Sequence, residues 1–126
     1  MKSTPYQIMT SKGVIEYQEH GNGPPVLCIH GAMGGYDQSM ALGRTITEST
    51  YRLLAISRPG YLGTPITSGT SPEEQADLFA AFLDTLKIEK IQIIAISAGG
   101  PSAMHFAARY PDRCEKLILC STVGSQ

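Results

Sequence analysis

"IIAISAGGPS", residues 93–102, is the stretch whose reading decides the fold. An apolar run ends in a single serine, Ser97, and small residues stand on both sides of it: Ala95, Ala98, Gly99 and Gly100. "KIQIIAIS" before the corner predicts a strand buried on both faces. "AGGPSAMHFAARY" after it predicts a helix, stopped by Pro111. Ser97 therefore falls where a buried strand turns into a helix. In a tight turn the residues two before and two after the serine approach each other, and Ala95 and Gly99 are small enough to allow it. Gly100 would then let the new helix pack closely. A serine aimed out of such a corner takes an unfavourable backbone geometry, at about 1–3 kcal/mol, which fits a working residue better than a filler. The plainer reading is a helix N-cap serine. The blocks that surround the corner weigh against it.

Outward from the corner, strands and helices alternate. "YQIM" and "VIEYQEH" predict a hairpin around "TSKG", whose Gly13 suits a turn. "VLCI" is a continuous apolar run, a strand buried on both faces, and it ends in the glycine-rich loop "HGAMGG". A helix is expected over residues 36–47, interrupted by Gly43. "YRLLAIS" is another buried strand, followed by the loop "RPGYLGTP". "SPEEQADLFAAFLDTLKI" is the clearest helix, with Ser71 as its cap, Pro72 in its first turn and Glu74 completing a capping box. Its Ala76, Phe79, Ala80 and Leu83 repeat as one packed face. "KLILCST" closes the chain as a final strand. Three strand–helix alternations after a hairpin predict an α/β fold with a mostly parallel sheet and crossover helices.

"AISAGG" resembles the nucleophile elbow of the α/β-hydrolase family, Gly-x-Ser-x-Gly, with Ala95 at the first position. "VLCIHGAMGG" is similar to the strand and loop that supply the family's oxyanion hole. "AISRPGYLGTP" resembles the next strand and loop, commonly Asp-x-Pro-Gly-x-Gly-x-Ser, with Ser57 in place of the aspartate. "ARYPDRCEKLILCST" resembles the stretch entering the following strand. The blocks stand in family order and cover nearly the whole chain. The resemblance implies that residues 1–126 are a partial α/β-hydrolase domain, the amino-terminal half, ending after the strand that follows the nucleophile helix.

The chemistry implied by the resemblance is hydrolysis of an ester-like bond through an acyl-enzyme on Ser97. Two backbone N–H groups would hold the oxyanion. One is that of Ala98; the other is that of Ala32, with Met33 as the second choice. Gly31 would line the substrate side; Tyr61, in a loop on the cleft side of the sheet, reads equally as a pocket-lining residue and as a packed aromatic. No cofactor and no metal is implied. The base and the acid follow the serine in the family, yet beyond Ser97 the one histidine is His105, eight positions on in the same helix, and "STVGSQ" holds no carboxylate. Loss of the base costs a serine hydrolase on the order of 10⁶ in rate, so the chain alone is expected to be nearly inactive. The competing expectation is an inert remnant of the fold that self-associates or binds a small ligand.

The remaining candidates have plainer readings. "HGAMGG" fails as a dinucleotide loop, because Met33 stands where the second glycine of Gly-x-Gly-x-x-Gly belongs. His30, just before Gly31, suits organising that loop rather than acting as a base. His105 reads as a partly exposed helix residue and His20 as an edge-strand residue. Asp37 favours the start of the helix that follows it, and Arg58 and Pro59 shape the loop that carries Tyr61.

Composition narrows the classes further. A chain of 126 residues with 42% hydrophobic and 17% charged residues reads as one globular domain. A net charge of -1 without a basic stripe argues against nucleic acid as a partner. There is no apolar run of membrane-spanning length and no apolar leader, which predicts no membrane partner and a cytoplasmic location. The three cysteines, Cys28, Cys114 and Cys120, read as free buried thiols. The expected partners are a small acyl substrate or ligand and a second copy of the chain, which would cover a sheet face or strand edge left bare.

Overall fold

A computed structural model describes residues 5–30, 39–41, 51–60, 62–96 and 99–120. The hairpin forms as expected: β1, Tyr6–Thr10, pairs antiparallel with β2, Gly13–His20. Gly13 takes φ +121 at the turn, a backbone conformation open to glycine. Then follow β3, Pro25–Ile29; β4, Arg52–Ser57; a 3₁₀ turn, Ile66–Ser68; α1, Pro72–Thr85; β5, Ile91–Ile96; α2, Gly100–Arg109; and β6, Cys114–Cys120. Ser39, Met40 and Ala41 are helical; the rest of the helix expected over residues 36–47 lies outside the described residues.

The six strands form one sheet in the order β1-β2-β4-β3-β5-β6. β4, β3, β5 and β6 run parallel, and the hairpin joins through the antiparallel β2–β4 pair. β2 is therefore not an edge strand. His20 sits at its far end opposite Leu53, past the last residue of β1's pairing.

Strand alternation feeds two cores. Leu27, Ile29, Leu54, Ile56, Ile93 and Ala95 face α1 and α2, where they meet Phe79, Phe82 and Phe106. Val26, Cys28, Leu53, Ala55 and Ile94 point to the opposite face, with Met40 among them. The central strands are thus buried on both sides, and this is why their sequences run apolar without alternation. The cysteine expectation needs correction. Cys28 is buried, and burial pushes its thiol up to about 12, but Cys114 and Cys120 are only half-buried because β6 stands at the sheet edge.

α1 starts and stops where its sequence says it should. The Ser71 hydroxyl accepts the Glu74 N–H at 3.1 Å, and the Glu74 carboxylate accepts the Ser71 N–H in return. The helix buries more than the expected stripe: Gln75, Leu78, Ala81 and Phe82 are also inside. α2 on one flank and the hairpin on the other widen its contact, with Phe82 edge-on to Tyr17 at 4.9 Å. At its end, the Lys87 and Ile88 N–H groups donate to Asp84 and Leu83. Lys87 takes φ +60 there, in the left-handed position that glycine usually fills.

Candidate active site

The chain leaves β3 for β4 on one side of it and returns to β5 on the other. The crevice at the carboxyl ends of β3 and β5 is the topological switch point, where open parallel sheets bind ligands. β5 ends at Ile96 and α2 begins at Gly100, so residues 97–99 join the carboxyl end of β5 to α2. Ser97 and Ala98 lie outside the described residues, as do Gly31, Ala32, Met33, Asp37 and Tyr61.

The structure explains the small residue at Gly99, with one change to the expected reason. A Cβ on Gly99 would lie 2.6 Å from the His30 carbonyl oxygen and 2.8 Å from Ile29 Cγ2. The crowding comes from the end of the neighbouring strand β3, not from Ala95 on the same strand. Gly100 differs again: a Cβ there would meet Leu119 Cδ2 at 3.8 Å, an ordinary contact, so close helix packing does not require that glycine. Among the described residues of this junction, Gly99 is pressed against the end of β3 and Gly100 is not.

His30 closes β3. It is fully buried, and its Nε2 accepts the Arg58 N–H at 2.8 Å. A nitrogen that accepts carries no proton, so the ring is held neutral with its proton on Nδ1. This fits the loop-organising role and removes His30 Nε2 from base chemistry. His105 turns toward Glu73, 4.0 Å away on α1, rather than toward the corner.

Arg58 is buried and, with Pro59, Gly60, Ile66, Gly69, Thr70 and Gln75, lines an open cavity of about 420 Å³ beside the end of β4. Ser39 anchors the short helical stretch at the same end, donating to the Ile56 carbonyl at 2.8 Å. Among the described residues no three His, Cys, Asp or Glu side chains converge as a metal site.

Sequence reasoning missed one contributor. Glu16 reaches across from the hairpin and takes hydrogen bonds from the Ser57 hydroxyl at 3.0 Å and the Gly63 N–H at 2.9 Å. The serine at 57, where the motif has a carboxylate, was the available signal. Recognising it required the β2–β4 register, which sets Glu16 directly opposite Ser57.

The sequence pattern of the alpha/beta hydrolase fold matches residues 24–126. The chain belongs to the α/β-hydrolase fold family. It is 37% identical, over all its 126 residues, to the uncharacterized hydrolase YcgS of Bacillus subtilis, and spans 44% of that protein. It is 29% identical over 119 residues to the 2-hydroxy-6-oxo-6-phenylhexa-2,4-dienoate hydrolase of Comamonas testosteroni, spanning 41% of it. Among solved structures, an α/β-hydrolase fold protein from Nakamurella multipartita superposes with a TM-score of 0.89 at 40% identity, over 92% of this chain and 40% of that one. The chain thus spans less than half the length of the relatives it matches.

No helix among the described residues is long and apolar enough to cross a membrane.

Proposed function

We propose that this α/β-hydrolase chain carries the nucleophile and the oxyanion donors of a hydrolase acting on ester-like bonds. Ser97 attacks the acyl carbon and becomes acylated as the alcohol or equivalent leaves. The Ala98 and Ala32 N–H groups receive the charge that develops on the carbonyl oxygen, where already-oriented donors are each worth about 3–4 kcal/mol. Gly31 and Tyr61 face the substrate. The single observation that carries this reading is the space at Gly99. A turn that admits no Cβ two residues after the serine, because it is pressed on the end of β3, belongs to a sharp strand-to-helix corner at a switch point.

The base and the acid come from outside this sequence. His30 is committed to Arg58, His105 leans toward Glu73, and His20 stands at an exposed strand end on the hairpin. The chain by itself should therefore turn over substrate close to background. A fluorophosphonate probe and p-nitrophenyl acetate, applied to the chain and to Ser97→Ala, test the assignment. Slow labelling that disappears in the variant is expected. Equal labelling of both would remove Ser97 from the role of nucleophile, and labelling of neither would support the inert reading of the chain.

A second reading is favoured by the surface. β6 pairs with β5 alone among the described strands, and Leu119 on β6 and Met104 on α2 are 47% and 48% exposed. A strand edge beside exposed apolar side chains associates readily. On this reading the chain is an inert module that meets a second copy through that edge.

A further inference from the structure

The carboxylate that Ser57 lacks is supplied from the neighbouring strand. Glu16 and Ser57 are cross-strand partners in the β2–β4 pair, and one oxygen of the Glu16 carboxylate accepts from both Ser57 Oγ and the Gly63 N–H, at 3.0 and 2.9 Å. The same residue is held on its backbone side, where its N–H donates to Thr64 Oγ1 at 2.7 Å. Gly63 is gripped from a second direction, its carbonyl accepting Gln7 Nε2 at 2.8 Å. A Cβ on Gly63 would stand 2.5 Å from the Glu16 carboxylate, so the loop lies directly on it. The loop is closed on itself by Gly60 N–H to the Thr64 carbonyl at 2.9 Å.

Both ends of this loop are therefore fixed by one side chain, and the residue between Ser57 and Pro59 is Arg58, whose N–H holds His30 Nε2. His30 in turn directly follows β3, and its carbonyl is what Gly99 rests against. Geometry at such corners matters on a scale of tenths of an ångström, because donors act only where the charge appears.

We propose that Glu16 is a positioning residue. Its carboxylate does from β2 what an aspartate at position 57 would do from β4, and through loop 58–64 it sets the Arg58 N–H against His30. The inference rests on the functional reading above only where it predicts labelling of Ser97.

The test uses the full chain with Glu16→Ala, Glu16→Gln, Glu16→Asp, and Glu16→Ala combined with Ser57→Asp. Amide exchange at Gly63 and Arg58 and the ring ¹⁵N shifts of His30 are read by NMR, with fluorophosphonate labelling alongside. In Glu16→Ala the Gly63 amide should exchange about tenfold faster or more, since it has lost its acceptor, and the Arg58 amide should follow because the released loop no longer holds it against His30. The His30 nitrogens should leave the pure Nδ1–H pattern and move toward a tautomer mixture. Glu16→Gln should resemble wild type, because its amide oxygen still accepts both bonds. Adding Ser57→Asp to Glu16→Ala should restore Arg58 protection and the His30 pattern. Faster exchange at Gly63 with Arg58 and His30 unchanged would overturn the proposal, and so would a double variant no better than Glu16→Ala. Should Glu16→Ala fail to fold, Glu16→Asp, which withdraws the carboxylate by one methylene, is read with the same expectations at smaller amplitude. Labelling that Ser97→Ala leaves unchanged would sink the functional reading while exchange and the His30 shifts still decide the role of Glu16.

Discussion

At the scale of single residues, the two glycines after the serine separate cleanly. Gly99→Ala forces a methyl group against the His30 carbonyl and Ile29, and backbone does not yield cheaply; a loss of about 1–3 kcal/mol is expected. Gly100→Ala meets only the tip of Leu119 and lowers the entropy of the unfolded chain, so it should be neutral or stabilising by about 0.4–1 kcal/mol. Urea unfolding of the two variants checks both signs, and equal losses would show that the corner is not pressed on β3. The same contrast shows how far a motif can be read. "Gly-Gly" after a serine looks uniform in sequence, yet one glycine is a steric necessity and the other is not.

At the scale of elements, α1 carries its own boundaries. Its amino end is acid-sensitive in a defined direction. Glu74 is held below the ordinary glutamate range, chiefly by the Thr70 N–H and then by the Thr70 hydroxyl and the Ser71 N–H. A carboxylate lowered in the folded state contributes stability that is complete above its unfolded value, roughly pH 4.3. That contribution is lost as pH falls through the lowered folded value. Glu74→Gln should therefore be less stable than wild type at neutral pH, with the gap closing in acid; a gap that stays constant from pH 7 to pH 3 would contradict the assignment. At the carboxyl end, Lys87 occupies a left-handed position at φ +60 between the paired bonds to Asp84 and Leu83. Lys87→Gly should gain about 1 kcal/mol in denaturant unfolding, since glycine meets no Cβ penalty there.

At the scale of the whole molecule, the sheet order brings together three segments that are distant in the chain. β3 lies between β4 and β5, so His30, Arg58 and Gly99 share one end of the sheet. The opposite consequence of the same order is that β6 has no described neighbour beyond β5. With Leu119 half-exposed beside that edge, sedimentation at rising concentration should reveal a species heavier than 13.5 kDa. Leu119→Lys, which places a charge on the edge, should shift it toward monomer. A wild-type chain that stays monomeric at high concentration would contradict association through β6.

What the sequence determined by itself was local and periodic. Unbroken apolar runs meant strands covered on both faces, Ser71, Pro72 and Glu74 opened a helix, and the ordered motif blocks gave the family. These features are legible because each is a property of neighbours in the chain. Tertiary structure alone decided the strand order, the press of Gly99 on β3, the partner of His30 and the reach of Glu16 to Ser57 and Gly63. Each of those depends on which distant segments lie side by side. A hydrogen bond or a missing methyl records its partner in space, and nothing in the local alphabet says that residue 16 will face residue 57.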